Sequence, residues 1–325
     1  MKIVVSVHDL PVWSMPDQEI DRLVATLPDD HIVNARDAAS RRAAFPGADV
    51  LLTTKIRGEE FVAAPSVRWM HSSAVGVGPL LPREVVESDV VVTNSKGVHS
   101  EAIAEHALAL LLALRRGLHT ARDRQSQATW AQEELQARRV PVAEATEVLV
   151  VGLGSIGLRV AQMCAGVGMR VIGVRRDSVR PVPAYVTRVW PPESLRTALA
   201  TADAVVLAAP QTEGTRALLG AAEFSMMKPS AVLVNIARGR LVDDEALLAA
   251  LGTGQIAGAG LDAFRTEPLP SDSPYWRLPN VLVSPHTASF AGDYWAPVVD
   301  LFLENLRRFK AGAPLCNVVD KRLGY

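Results

Sequence analysis

The sequence predicts an α/β protein built on doubly wound parallel sheets. Two observations carry this. Strand-length apolar runs alternate with segments whose apolar residues recur at helical spacing, in two successive series. In the second series the runs lack inside–outside alternation, the pattern of strands covered on both faces. The length of 325 residues, at roughly 150 per domain, leaves room for two domains with cores of their own.

In the first series the strands fall at residues 3–7, 50–53, 67–71 and 90–93, with helical patterns over 17–27 and 58–64. A long helix then starts at Ser100, which is placed to cap it, with Glu101 in its first turn. Ile103, Ala107, Leu110, Leu111 and Leu114 make this helix apolar on most faces, and Arg115 and Arg116 suit its carboxyl end. Residues 122–143 read as an exposed helix and a linker punctuated by Pro141. The second series has strands at 148–151, 170–174, 204–208, 231–235, 257–261 and 281–283. A last helix over 293–311 and a short tail close the chain.

Composition removes several function classes. Lys and Arg total 34 against 35 for Asp and Glu, a net charge of -1, which argues against nucleic acid or an anionic membrane as main partner. Cys164 and Cys316 are too few for a disulfide framework or an all-cysteine metal site, and both read as buried free thiols. The histidines show no metal-ligand spacing, so no metal is expected. The longest apolar run, 107–114, falls short of the roughly 18 residues a membrane span needs. Residues 1–7 read as a strand rather than a secretory signal, so a cytoplasmic protein is expected.

Gly152-Leu153-Gly154-Ser155-Ile156-Gly157 lies between the strand ending at Val151 and the helix that follows. In that setting the first glycine permits the tight turn, the second admits a pyrophosphate to the backbone, and the third lets helix approach strand. Free amides and the positive helix end then meet the diphosphate. Gly152, Gly154, Ser155, Ile156 and Gly157 are therefore the expected dinucleotide-binding set. An NAD site commonly carries an acid about twenty residues on, at the end of the second strand. Here Arg175 and Arg176 stand there, and Asp177 arrives two residues late. Two guanidiniums bind a 2′-phosphate by forked hydrogen bonds where a carboxylate would repel it. NADP(H) is the expected cofactor, with NAD second.

Three residues lie just beyond later strands: Arg238, Glu267 and His286. Ligands of open parallel sheets bind outside the carboxyl ends of strands, so all three are candidates to meet the nicotinamide end of the cofactor.

These motifs resemble, in the same order, those of the D-isomer-specific 2-hydroxyacid dehydrogenases. The resemblance includes residues 71–77 (HSSAVGV), 93–98 (TNSKGV), the glycine loop, 235–239 (NIARG), 261–264 (LDAF), 267–269 (EPL) and 285–289 (PHTAS). It implies that His286 is the general acid that protonates the carbonyl oxygen of a 2-oxo acid, a task that suits an imidazole. Glu267 would fix its tautomer, and Arg238 would bind the substrate carboxylate and polarise the carbonyl. The Val75 and Gly76 amides would take the substrate carboxylate, Asp262 the nicotinamide carboxamide, and Ala209 and Pro210 would pass along the cofactor. The architecture implied is a Rossmann-like dinucleotide-binding domain, 99–286, inserted into a flavodoxin-like substrate domain, 1–98 and 287–325, with the site in the cleft between them. His71 and His99 fall near that cleft; Tyr294 and Trp295 either line it or pack. The helix from Ser100 would contribute to a homodimer interface. His106 within it reads as a hydrogen-bonded packing residue.

The reaction expected is hydride transfer between NADP(H) and a small 2-oxo acid such as glyoxylate or hydroxypyruvate. Phosphoglycerate oxidation is the alternative within the family, with Lys55 or Arg57 for the phosphate. A dinucleotide-sensing corepressor is the alternative from another class; it would bind cofactor without turnover.

Overall fold

The computed structural model describes residues 1–7, 13–137 and 142–325, so the punctuation noted at Pro141 lies outside the described residues. The chain divides into one unit of Met1–His99 with Ala291–Tyr325 and a second of Ser100–Phe290. Each is built on a parallel sheet, the α/β class expected from the sequence.

In the first unit, strands β1 (Lys2–Ser6), β2 (His31–Asn34), β3 (Val50–Thr53), β4 (Trp69–Ser72) and β5 (Val91–Asn94) lie in the order β2-β1-β3-β4-β5. That is the flavodoxin-like order. The pleat sends Val4, Leu51, Met70 and Val92 to one face and Ile3, Val5, Leu52 and Trp69 to the other. The second face is closed by the last helix, Ala296–Lys310, through Val298, Val299, Phe302 and Leu306. Trp69 stacks on Phe302 at 5.2 Å, and burying side chains of this size contributes about 2–3 kcal/mol each. Asn305, wholly buried, then clamps the tail by bonding both backbone groups of Cys316 at 2.7 and 3.1 Å. Cys316 itself is only partly buried, unlike Cys164 and unlike the expectation for both, because it sits in this surface tail.

In the second unit, β6 (Glu147–Val151), β7 (Arg170–Val174), β8 (Val186–Trp190), β9 (Ala204–Leu207), β10 (Val232–Asn235), β11 (Gly258–Leu261) and β12 (Val281–Val283) follow the order β12-β11-β10-β9-β6-β7-β8. The order reverses between β6 and β9, which is the switch point where such sheets bind ligands. The helix Ser100–Arg115 lies on one face. Gly258 and Gly260 let it come close, since a Cβ on Gly260 would meet Leu110 at 3.0 Å.

One expectation about this helix changes. Ser100 is its first residue rather than its cap, and Ser100 Oγ is buried without a partner among the described residues. Arg115 ends the helix, as expected, and is buried there, donating to Thr146 Oγ1 at 2.7 Å. The region read as an exposed helix and linker forms two helices, Leu118–Ser126 and Gln132–Ala137. Among the described residues no helix is long and apolar enough to cross a membrane.

Candidate active site

The glycine loop leaves β6 beside the strand-order reversal and opens the helix Ser155–Gly166. Gly152 has φ +99°, and a Cβ there would lie 2.6 Å from the Ala209 nitrogen. A Cβ on Gly157 would lie 1.8 Å from the Gly152 oxygen. These two glycines are demanded by the fold itself. Gly154 differs: a Cβ on it would meet nothing within 4 Å, and as helix N-cap it offers no side chain to the first-turn amides. Open space over uncapped donors fits an approaching phosphate. Ala209 and Pro210 follow β9 at the same reversal, and Ala209 is the residue Gly152 packs against.

Arg175 follows β7, its Nε donating to the Asp177 carbonyl at 2.6 Å. Asp177 turns its carboxylate to the Arg180 amide at 3.2 Å, so it serves the local turn. Arg176 is exposed.

Arg238 stands in the loop after β10, and the loop is braced by a residue that sequence reading passed over. Asn235 Oδ1 accepts the Ala237 amide at 3.0 Å while its Nδ2 donates to the Arg238 carbonyl at 3.1 Å. The Arg238 guanidinium donates to the Ala237 carbonyl at 2.6 Å. Burial lowers its pKa from the ordinary value, opposed by the charge of Glu267.

Glu267 and His286 meet directly. Glu267 Oε2 lies 2.8 Å from His286 Nδ1, and Oε1 accepts the Phe264 amide at 2.8 Å. Burial pushes the Glu267 carboxyl upward. The bonds from His286 and Phe264 and the charges of His286 and Arg238 outweigh it, holding Glu267 below the usual carboxylate range. Of the three expected catalytic residues, two are thus in contact and the third is felt electrostatically by Glu267.

Asp262, expected on the nicotinamide carboxamide, has its carboxylate turned to the His286 loop. Oδ1 accepts from Ser284 Oγ at 2.7 Å and from the Thr287 amide at 2.9 Å; Oδ2 accepts the Ala288 amide at 3.0 Å. His286 itself has φ +54°, a region few non-glycine residues adopt.

In the first unit, Val75 and Gly76 follow β4, with the Val75 carbonyl accepting from Asn94 Nδ2 at 2.8 Å. His71 is fully buried and bonded on both ring nitrogens, so it lines no surface. His99 is buried too and stacks on Tyr294 at 4.1 Å, while Trp295 belongs to the core.

Residues 108–288 match the model of the D-isomer specific 2-hydroxyacid dehydrogenase NAD binding domain. A glyoxylate reductase of Korarchaeum cryptofilum is 36% identical over 280 residues, 84% of this chain and 82% of that one. A solved NADPH-dependent glyoxylate/hydroxypyruvate reductase of Sinorhizobium meliloti, in complex with NADP and sulfate, superposes with a TM-score of 0.85 at 25% identity, covering 100% of this chain and 99% of that one. A D-isomer specific 2-hydroxyacid dehydrogenase of Xanthobacter autotrophicus, in complex with NADPH and MES, gives 0.84 at 31% identity and 99% coverage of both chains.

Proposed function

Because the chain belongs to the D-isomer-specific 2-hydroxyacid dehydrogenase family, we propose that it is an NADPH-preferring reductase of small 2-oxo acids in which His286 moves the proton. It is an oxidoreductase of 2-oxo and 2-hydroxy acids that uses a nicotinamide dinucleotide.

The observation that carries the acid–base role is the 2.8 Å contact of His286 Nδ1 with Glu267. A carboxylate only accepts, so Nδ1 holds the proton of that bond. Nε2 is then the nitrogen that gives a proton to the substrate oxygen, or takes one in the reverse direction. Glu267, held ionised, stabilises the imidazolium while the proton resides on His286. Arg238 binds the 2-oxo acid and offsets the charge that develops on its carbonyl oxygen. When bound, the nicotinamide supplies the hydride. The loop at Gly152, Gly154, Ser155, Ile156 and Gly157 holds the diphosphate. In the first unit, the turn at Val75 and Gly76 is assigned to a substrate carboxylate, glycine letting a ligand come close to backbone amides.

The preference for NADPH rests on Arg175 and Arg176 where an acid would select NAD. The S. meliloti and X. autotrophicus relatives were solved with NADP and NADPH. Glyoxylate and hydroxypyruvate head the substrates because the K. cryptofilum relative is a glyoxylate reductase and the S. meliloti one a glyoxylate/hydroxypyruvate reductase. The phosphoglycerate reading loses one of its cations, since Arg57 is paired with Glu59 at 3.1 Å and Glu60 at 3.3 Å. Association as a homodimer is assigned to the helix Ser100–Arg115, whose Leu108, Ala109 and Leu112 are not fully covered.

Steady-state kinetics with glyoxylate, hydroxypyruvate and an aryl pyruvate, each with NADPH and NADH, test the assignment. Failure to oxidise either cofactor with every acid overturns it. Faster turnover with NADH overturns the preference alone.

A further inference from the structure

We propose that His106 and Ser284 are positioning residues for the loop that carries His286, acting through the Asp262 carboxylate. The proposal rests on the acid–base role of His286 given above. Ser284 Oγ lies between two partners, 2.7 Å from Asp262 Oδ1 and 2.9 Å from His106 Nε2. A carboxylate only accepts, so the single hydroxyl proton goes to Asp262. Ser284 Oγ is then an acceptor toward His106, whose Nε2 carries the proton. His106 Nε2 also stands 3.5 Å from Asp262 Oδ1. The chain of donors runs from His106 to Ser284 to Asp262.

What Asp262 does with its remaining capacity gives the chain a purpose. Its carboxylate, 3% exposed, accepts the amides of Thr287 and Ala288, the two residues after His286. Before His286, the Ser284 carbonyl accepts the His286 amide at 3.0 Å. Ser284 therefore holds the loop twice, through its carbonyl directly and through its hydroxyl by way of Asp262. Between these anchors His286 sits at φ +54°, a conformation that persists only where its surroundings impose it. His106 projects from a helix seated in the core by Leu110, Leu111 and Leu114, so the far end of the chain is fixed. Rotation of the Asp262 carboxylate would release both amides at once. The relay from His106 removes that freedom.

The test compares truncating and conservative substitutions at both positions in the full chain. Ser284→Ala and His106→Leu remove a link; Ser284→Thr keeps the hydroxyl, and His106→Gln keeps an N–H near the place of Nε2. The truncations are expected to lower kcat for glyoxylate with NADPH about tenfold, with KM changed less than about twofold, as misplacement of a proton donor does. Exchange of the Thr287 and Ala288 amide hydrogens is expected to quicken about tenfold in the truncated proteins. Both conservative variants should stay within about threefold of the parent, and Ser284→Ala with His106→Leu should be no worse than Ser284→Ala alone, since the links act in series.

Unchanged kcat and exchange, or conservative variants as damaged as the truncations, overturn the relay in favour of packing. If Ser284→Ala does not fold, the His106 pair gives the same comparison. If the parent reduces no 2-oxo acid, the proposed reaction fails, and amide exchange alone still decides the positioning role.

Discussion

A Cβ added to Gly239 would lie 2.0 Å from the carbonyl carbon of Phe264, so the loop carrying Arg238 rests directly on the backbone that leads to Glu267. No shift of a flexible side chain can relieve this, because the Arg265 nitrogen lies only 2.2 Å away on the same side. Gly239→Ala must therefore push the Arg238 loop and the Glu267 loop apart. We expect a stability loss of about 1–3 kcal/mol, as for overpacking elsewhere. A fall in kcat exceeding what the unfolded fraction explains is expected with it. Thermal unfolding and kinetics on the same sample check both; a variant with unchanged kcat would show that Arg238 and Glu267 do not depend on this contact.

Glu267→Gln keeps the shape of the side chain but removes the charge facing His286 Nδ1. The expected loss is about 100-fold in kcat, the scale of a misdirected general acid. Stability gives a second reading with a definite sign. The folded carboxyl titrates below its ordinary value, so its contribution is present above the ordinary carboxylate range and is lost as pH falls through the depressed value. The Tm gap between parent and variant should therefore be full at pH 7 and close as pH falls below the ordinary carboxylate range. A gap that widens on acidification would mean that Glu267 is not held ionised by its neighbours.

What the sequence made legible follows physical lines. The central strands of the second unit are runs such as Val148-Leu149-Val150-Val151, buried at every position, and no competing pattern hides them. Strands β2 and β8 escaped although the other two edge strands, β5 and β12, did not, because their own residues are the more exposed. His31–Asn34 is short and partly exposed throughout, and Val186–Trp190 places Thr187 and Arg188 in solvent, which breaks up its apolar run. Among site residues, Arg238, Glu267 and His286 stood out because each follows a strand. The contacts that organise them did not. Gly239 meets Phe264 across 25 residues of chain, and Ser284 meets His106 across 178. The second relation is long-range in sequence and carries no local signal beyond a histidine on an apolar helix.

His71 makes the first unit sensitive to acid. Trp69 Nε1 donates to Thr93 Oγ1 at 2.8 Å, and the same hydroxyl meets His71 Nδ1 at 2.7 Å. Ser95 Oγ donates to the Ser72 carbonyl at 2.8 Å and so accepts from His71 Nε2 at 3.3 Å. With its one proton on Nε2, the neutral ring accepts the Thr93 hydroxyl at Nδ1. Burial accordingly pushes its pKa down to about 3, and that of His99 down to about 4. Unfolded histidines take up protons below about 6.5, while the folded ones do not until far lower, so stability falls as pH drops through this window. His71 alone gives a slope approaching about 1.4 kcal/mol per pH unit. Urea unfolding between pH 7 and 5, where carboxylates change little, should show this slope in the parent and a shallower one in His71→Gln. Equal slopes would mean that the ring accepts a proton without unfolding.

Arg175 is tied by Nε to the Asp177 carbonyl at 2.6 Å and more loosely by Nη2 to the Pro181 carbonyl at 3.5 Å, which aligns the guanidinium at the end of β7. A fork oriented in this way by its own turn binds a phosphate at lower cost in ordering than a swinging chain does. Replacing it with Asp both removes the fork and places a carboxylate where it repels a 2′-phosphate and accepts from ribose hydroxyls. Arg175→Asp is therefore expected to lower kcat/KM for NADPH and raise that for NADH, shifting their ratio by about tenfold or more, some 1.4 kcal/mol. Because Arg175 stands apart from the Glu267–His286 pair, kcat at saturating dinucleotide should change little. A ratio that does not move would transfer selection to Arg176, and the same measurement on Arg176→Ala then separates the two.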